Sequence, residues 1–91
     1  MLTDSTTYSS QNTGVYLGIS DIMQMKHTFY GSFKEMNWDV HSVKEVRNGV
    51  VLFDFTFFGT TNDGEEITRP GLEYVIIHNE KLQHIEVRNK P

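Results

Sequence analysis

The chain has 91 residues, 37% hydrophobic and 22% charged, with a net charge of −4. That is enough for one globular domain, in which folding buries only roughly 60–65% of the unfolded surface. Its eight basic residues are scattered rather than clustered, which excludes the basic face that nucleic-acid binding needs.

There is no cysteine, hence no disulfide framework and no thiolate chemistry. The first eleven residues lack the basic and apolar regions of a signal peptide. No run approaches the about 18 apolar residues of a membrane span. A cytoplasmic protein without membrane contact is expected.

The whole chain, 1–91, reads as a single domain, with 1–5 as a frayed end. Residues 6–10, rich in Thr and Tyr, suit a short edge strand. Gln11, Asn12, Thr13 and Gly14 have turn chemistry, and Val15, Tyr16 and Leu17 form a brief extended piece closed by Gly18. A helix is expected over 20–35, with Ser20 as N-cap and Asp21 complementing the macrodipole. Ile22, Met23, Met25, Phe29 and Phe33 fall near one apolar stripe, with Gln24, Lys26 and Lys34 off it. Gly31 weakens its last third.

From 37 to 47 the period changes to two, and Val46 breaks the parity, as a bulge near Lys44 would. Asn48-Gly49 is a strong hairpin signal. The strand that follows, 50–61, has Val51, Phe53, Phe55 and Phe57 on one face, and Val50, Leu52 and Phe58 beside Asp54 and Thr56 on the other. A strand apolar on both faces is covered on both. The second cover is assigned to self-association, with Val50, Leu52 and Phe58 in the interface. Asn62-Asp63-Gly64 turns into a strand over 65–78, where Pro70-Gly71 suggests a bulge or bend. Asn79, Glu80 and Lys81 turn into the last strand, 82–88.

This order comes with Tyr16-Leu17-Gly18 before the helix, Asn37-Trp38-Asp39-Val40 opening the first long strand, and Phe57-Phe58-Gly59-Thr60 ending the second. Lys81 to Val87 close the chain. Together they resemble the SnoaL-like branch of the nuclear-transport-factor-2-like superfamily, which includes ketosteroid isomerases and scytalone dehydratases. The resemblance runs from about Tyr16 to Asn89. It implies an α+β cone: a strongly curved antiparallel sheet of four to six strands around one long helix, with a ligand cavity between them. Two features depart from the family pattern. The usual two further N-terminal helices have no counterpart, and Arg88-Asn89-Lys90 stands where an aromatic residue and an aspartate often end the last strand. Both favour binding over catalysis.

The resemblance directs attention to carboxyl groups in apolar surroundings. Asp54, between Phe53 and Phe55, is a candidate general base if its face lines the cavity; otherwise it is solvated or paired with a Lys or Arg. Glu73 is a second candidate acid or base, and the competing reading is an ion pair with Arg88 or Lys44. His84 shares a face with Glu86 and can form an oriented His–carboxylate base, or simply a polar solvent face. His27 and Tyr30 on the helix can line a cavity mouth as hydrogen-bond donors. Phe29, Phe33, Trp38, Phe53, Phe55 and Phe57 are either an apolar ligand pocket or ordinary core. The four histidines lie on different elements without ligand spacing, so no metal site is expected, and no motif asks for a cofactor. The favoured reading is a homodimeric domain, paired through its sheet, that binds a small apolar ligand or a protein partner. The alternative is a cofactor-independent isomerase, cyclase or dehydratase.

Overall fold

A computed structural model describes residues 2–90. Two short strands, β1 (Thr7–Ser10) and β2 (Gly14–Leu17), precede the helix α1 (Ile19–Gly31). Four long strands follow: β3 (Phe33–Arg47), β4 (Val50–Thr61), β5 (Glu66–His78) and β6 (Lys81–Asn89). They form one six-stranded sheet in the order β2-β1-β6-β5-β4-β3. The architecture is α+β, as expected.

The sheet is mixed rather than wholly antiparallel. β1 runs parallel to β6, with Tyr8 opposite Ile85 and Ser10 opposite Val87, while the other pairings are antiparallel. β1 is therefore an interior strand, and the expected edge position belongs to β2. The expected frayed end is tied down from Thr3 onward; Met1 lies outside the described residues. Thr6 is fully buried, its hydroxyl donates to the Leu82 carbonyl at 2.6 Å, and its own carbonyl accepts from Gly18 N–H at 2.7 Å. The Thr3 carbonyl accepts from Ile19 N–H at 3.0 Å.

The helix is shorter than its apolar stripe suggested, 13 residues ending at Gly31. Its N-cap is Gly18, with a φ of 87° and no side-chain cap, so Ser20 already lies inside the helix. A side chain at Gly18 would meet the Asp4 carbonyl oxygen at 2.9 Å; glycine alone fits this crowded left-handed corner. Asp21 reaches back to accept from Leu17 N–H at 3.1 Å. At the other end Gly31 carries little helix propensity, Ser32 N–H bonds to the Phe29 carbonyl at 3.1 Å, and Phe33 enters β3. Of the expected stripe Ile22 is fully buried and Met23 is exposed.

The first two turns between the long strands stand where Asn48-Gly49 and Asn62-Asp63-Gly64 placed them. β3 carries register shifts at Lys34, His41 and Val46, the last close to the expected bulge near Lys44. β5 runs through Pro70-Gly71 in unbroken register with β4, Gly71 opposite Phe55, so no bulge interrupts that pairing. Its register shift lies instead between Ile76 and Ile77, against β6. Proline is tolerated because Pro70 lies just beyond the last pair with β6, Gly71 opposite Asn89, where no ladder donor is required.

Alternation sorts the sheet into two faces. Tyr8, Trp38, Phe55, Phe57, Glu73 and Val87 share the face that α1 covers. Asp54, Phe58, His84, Glu86 and Arg88 lie on the other.

Candidate functional site

Between α1 and the sheet lies a cavity of about 280 Å³. Its wall is a chain of rings. Tyr30 meets Trp38 edge-on at 6.2 Å between centroids, Trp38 meets Phe57 at 5.0 Å, and Phe57 meets Phe29 at 5.6 Å. Aromatic pairs at these separations and tilts stabilise one another beyond simple area burial.

Two glycines leave room for the rings to approach the sheet. A Cβ at Gly71 would stand 2.7 Å from the tip of the Phe55 ring. One at Gly59 would stand 2.8 Å from both Phe33 and Phe57.

Polar groups enter at particular points. Glu73 projects into the cavity from β5, flanked across the sheet by Phe53 on β4 and Val87 on β6. Neither neighbour can satisfy a carboxylate, and no hydrogen bond or ion pair to its side chain occurs among the described residues. Burial therefore raises its pKa above the usual carboxylate value, and the ammonium of Lys26 offsets this only in part. Tyr8, on β1, lines the same cavity. Burial, followed by the nearby Glu73 charge, pushes its phenol up to about 12, so at neutral pH it is a firm O–H donor. Ser10, Asn12, Arg69 and Asn89 complete a polar end.

The sequence candidates divide accordingly. The structure brings together Glu73, Phe29, Tyr30, Trp38, Phe55 and Phe57 at the cavity. It leaves out Asp54, His84, His27, Phe33 and Phe53. Asp54 is on the opposite face, where both carboxylate oxygens accept from Lys90 Nζ at 2.9 Å; its even position in β4 decides this. His84 is on that face too. Its Nδ1 lies 2.7 Å from the Thr7 hydroxyl, and its Nε2 lies 2.9 Å from Glu86. The hydrogen bond from His84, before any other influence, holds the Glu86 carboxyl below its usual pKa. His27 is exposed on the helix. Phe33 packs behind the wall against Phe29 at 5.1 Å and Phe57 at 5.3 Å, because the helix ends before it. No ion pair joins Glu73 to Arg88 or Lys44; Arg88 instead meets Glu86 at 3.5 Å and lies over the Tyr74 ring at 5.9 Å.

Tyr8, Lys26 and Arg69 were not singled out from the sequence. The period-two spacing of Thr6, Tyr8 and Ser10 was the one available signal for Tyr8. Among the described residues no group of His, Asp and Glu is arranged to hold a metal ion.

No protein-family profile and no curated protein sequence matches the chain. Solved structures do match it. TerC, co-crystallised with polyporic acid, superposes with a TM-score of 0.81 at 14% identity, over 96% of this chain and 72% of its own. A protein assigned as a SnoaL-like polyketide cyclase from Jannaschia sp. CCS1 gives 0.84 at 11%, over 98% and 67%. An NTF2-like protein of unknown function from Burkholderia pseudomallei gives 0.85 at 12%, over 98% and 72%. The chain therefore has the SnoaL-like, nuclear-transport-factor-2-like fold, as the sequence resemblance implied. At these identities the likeness concerns the fold, which hosts many activities.

Proposed function

We propose that the chain binds a small ring-bearing molecule in this cavity, apolar over most of its surface and carrying a hydroxyl or amine that donates to Glu73. One observation supports this above the rest: a carboxyl group sits between Phe53 and Val87 in an aromatic-walled cavity with no partner of its own. Glu73 is half-buried and its carboxylate oxygens keep contact with solvent in the cavity, so a ligand that displaces that water must supply a donor in its place. A ligand donor would satisfy it, with Tyr8 O–H free to meet a ligand carbonyl. The cavity volume lies at the small end of the usual range for ligand sites. Co-crystallisation of TerC with polyporic acid fits a fold that accommodates small organic molecules. We also take the sheet to curve around the helix into a cone, which the three register shifts of β3 support, and the domain to pair with itself through its sheet.

Trp38 is the only tryptophan and lines the cavity, so its fluorescence reports occupancy directly. Titration with small phenols and aromatic amines should give saturable changes, weakened about tenfold by Glu73→Gln, the equivalent of one lost charge-assisted hydrogen bond. Flat titrations with every probe, or equal affinities in the variant, would refute the proposal.

The raised Glu73 pKa also favours a second reading, a proton-transferring isomerase, cyclase or dehydratase with Glu73 as base and Tyr8 as donor to the developing oxyanion. Turnover of a bound probe that disappears in Glu73→Gln while affinity falls only modestly would establish it. Binding without turnover leaves the first reading.

A further inference from the structure

Glu73, Gly71 and Arg69 alternate along the face of β5 that α1 covers, and all three line the cavity. Across the sheet they stand opposite Phe53, Phe55 and Phe57 in turn. The glycine leaves a gap between the carboxyl group and the guanidinium. The Phe55 ring forms its floor, since a Cβ at Gly71 would stand 2.7 Å from that ring. The result is a trough with an acid at one end, an aromatic floor, and a permanent cation at the other. Four residues of strand set its length, roughly 13 Å between the two Cα atoms. With side chains reaching inward from both ends, that span suits one ring with polar groups at opposite poles.

We infer that the ligand is an aromatic acid, its carboxylate held by Arg69 and its para hydroxyl or amine turned to Glu73. This rests on the ligand-binding reading above and adds an anionic end to the molecule. Charge supports it first. Among the described residues Arg69 takes part in no ion pair, and its side chain makes no hydrogen bond. Arg88, the other arginine near this end, is turned to the outer face and paired with Glu86. The second cation of the cavity, Lys26, stands close enough to Glu73 to offset part of the effect of burial on it. Arg69 is thus the cation left for a ligand. Lys26 and Arg69 together face one carboxyl group, a local excess of positive charge in a chain of net charge −4.

Shape supports it second. The planar fork of an arginine matches a carboxylate through two parallel hydrogen bonds. Asn12 and Asn89 frame that end of the cavity. Each amide donates one N–H to the other's oxygen, at 3.0 and 3.2 Å, and the Gln11 side chain accepts from Asn89 backbone N–H at 2.6 Å. These bonds tie the turn before β2 to the end of β6 and leave each amide a second N–H for a carboxylate oxygen. At the far end a second anion beside the Glu73 carboxyl is disfavoured, so the acid has one orientation.

Trp38 packs on Phe57, which stands opposite Arg69, so its fluorescence reads the anionic end. At neutral pH para-hydroxybenzoate should bind about tenfold more tightly than its methyl ester, which keeps the ring and hydroxyl and lacks the charge. Arg69→Gln should abolish that preference by weakening the acid alone, whereas Glu73→Gln should weaken acid and ester together. Added salt should weaken the acid and not the ester in the unsubstituted chain. Equal affinities for acid and ester would overturn the anionic end and spare the ligand-binding reading. So would a preference that survives Arg69→Gln, or one that is lost only in Lys26→Gln. Binding of neither probe, or no effect of Glu73→Gln on either, would overturn both. Arg69 is exposed, so its variant should fold; if it does not, the salt dependence decides.

Discussion

At the scale of single residues, the site depends on side chains placed where their usual partners are missing. Glu73 is the plainest case. Its neutral form is favoured by burial, so its contribution to stability is fully present below the ordinary glutamate pKa. That contribution is lost as pH rises through its raised folded value. Glu73→Gln should therefore raise the Tm at neutral pH and flatten the fall in stability between acid and neutral pH, as thermal melts across that range would reveal.

Tyr8 behaves likewise in the alkaline range. With a folded value of about 12 against an ordinary 10, its stabilising effect is complete below about pH 10 and disappears by about pH 12. Ultraviolet titration should show a phenol ionising at about pH 12, and Tyr8→Phe should remove that step. Gly71 supports the site by absence. A methyl group there would push Phe55 into the cavity, so Gly71→Ala should cost about 1–3 kcal/mol and weaken the Trp38 fluorescence response to aromatic probes.

At the scale of elements, turns and ties matter more than helix propensity. Asn79 and Glu80 both adopt left-handed conformations, with φ of 52° and 63°, as a two-residue hairpin between His78 and Lys81 demands. Asparagine tolerates this; glutamate does not do so freely. Glu80→Gly should stabilise the fold by about 1 kcal/mol in urea denaturation.

The parallel join of β1 to β6 relies on side chains as well as backbone. Thr7, His84 and Glu86 form a continuous hydrogen-bonded row. Glu86 is held below its usual pKa, so its stabilisation is present above the ordinary glutamate value and lost as pH falls. Glu86→Gln should cost about 1 kcal/mol at neutral pH and nothing at strongly acid pH.

At the scale of the whole molecule, the domain leaves much apolar surface uncovered. Its core is small: Ile22, Phe57, Val75 and Ile85 are the buried hydrophobic residues, while Val15, Leu17, Met23, Val40 and Val43 are each at least half exposed. Small domains are marginal on their own, and a second copy that binds only the folded state adds stability by mass action. Thermal unfolding should therefore shift upward with chain concentration. An unchanged Tm over a hundredfold range would count against self-association. Among the described residues, no helix is long and apolar enough to cross a membrane.

Much of the fold was legible along the chain because its signals are local. Period-two alternation marked four long strands, Asn48-Gly49 and Asp63-Gly64 marked the hairpins, and strand neighbours follow from turns. The same alternation assigned Phe55 and Phe57 to one face and Asp54 to the other, but could not say which face the helix covers. That depends on where α1 docks, a long-range outcome. For the same reason Glu73 could not be told from Asp54 as the carboxyl inside the cavity, although each lies between apolar positions. β1 beside β6, and with it Tyr8 beside Glu73, was out of reach, since a parallel pairing of the two ends of a chain leaves no local trace. Composition and periodicity determined the elements; the docking of one helix and one distant strand decided the site.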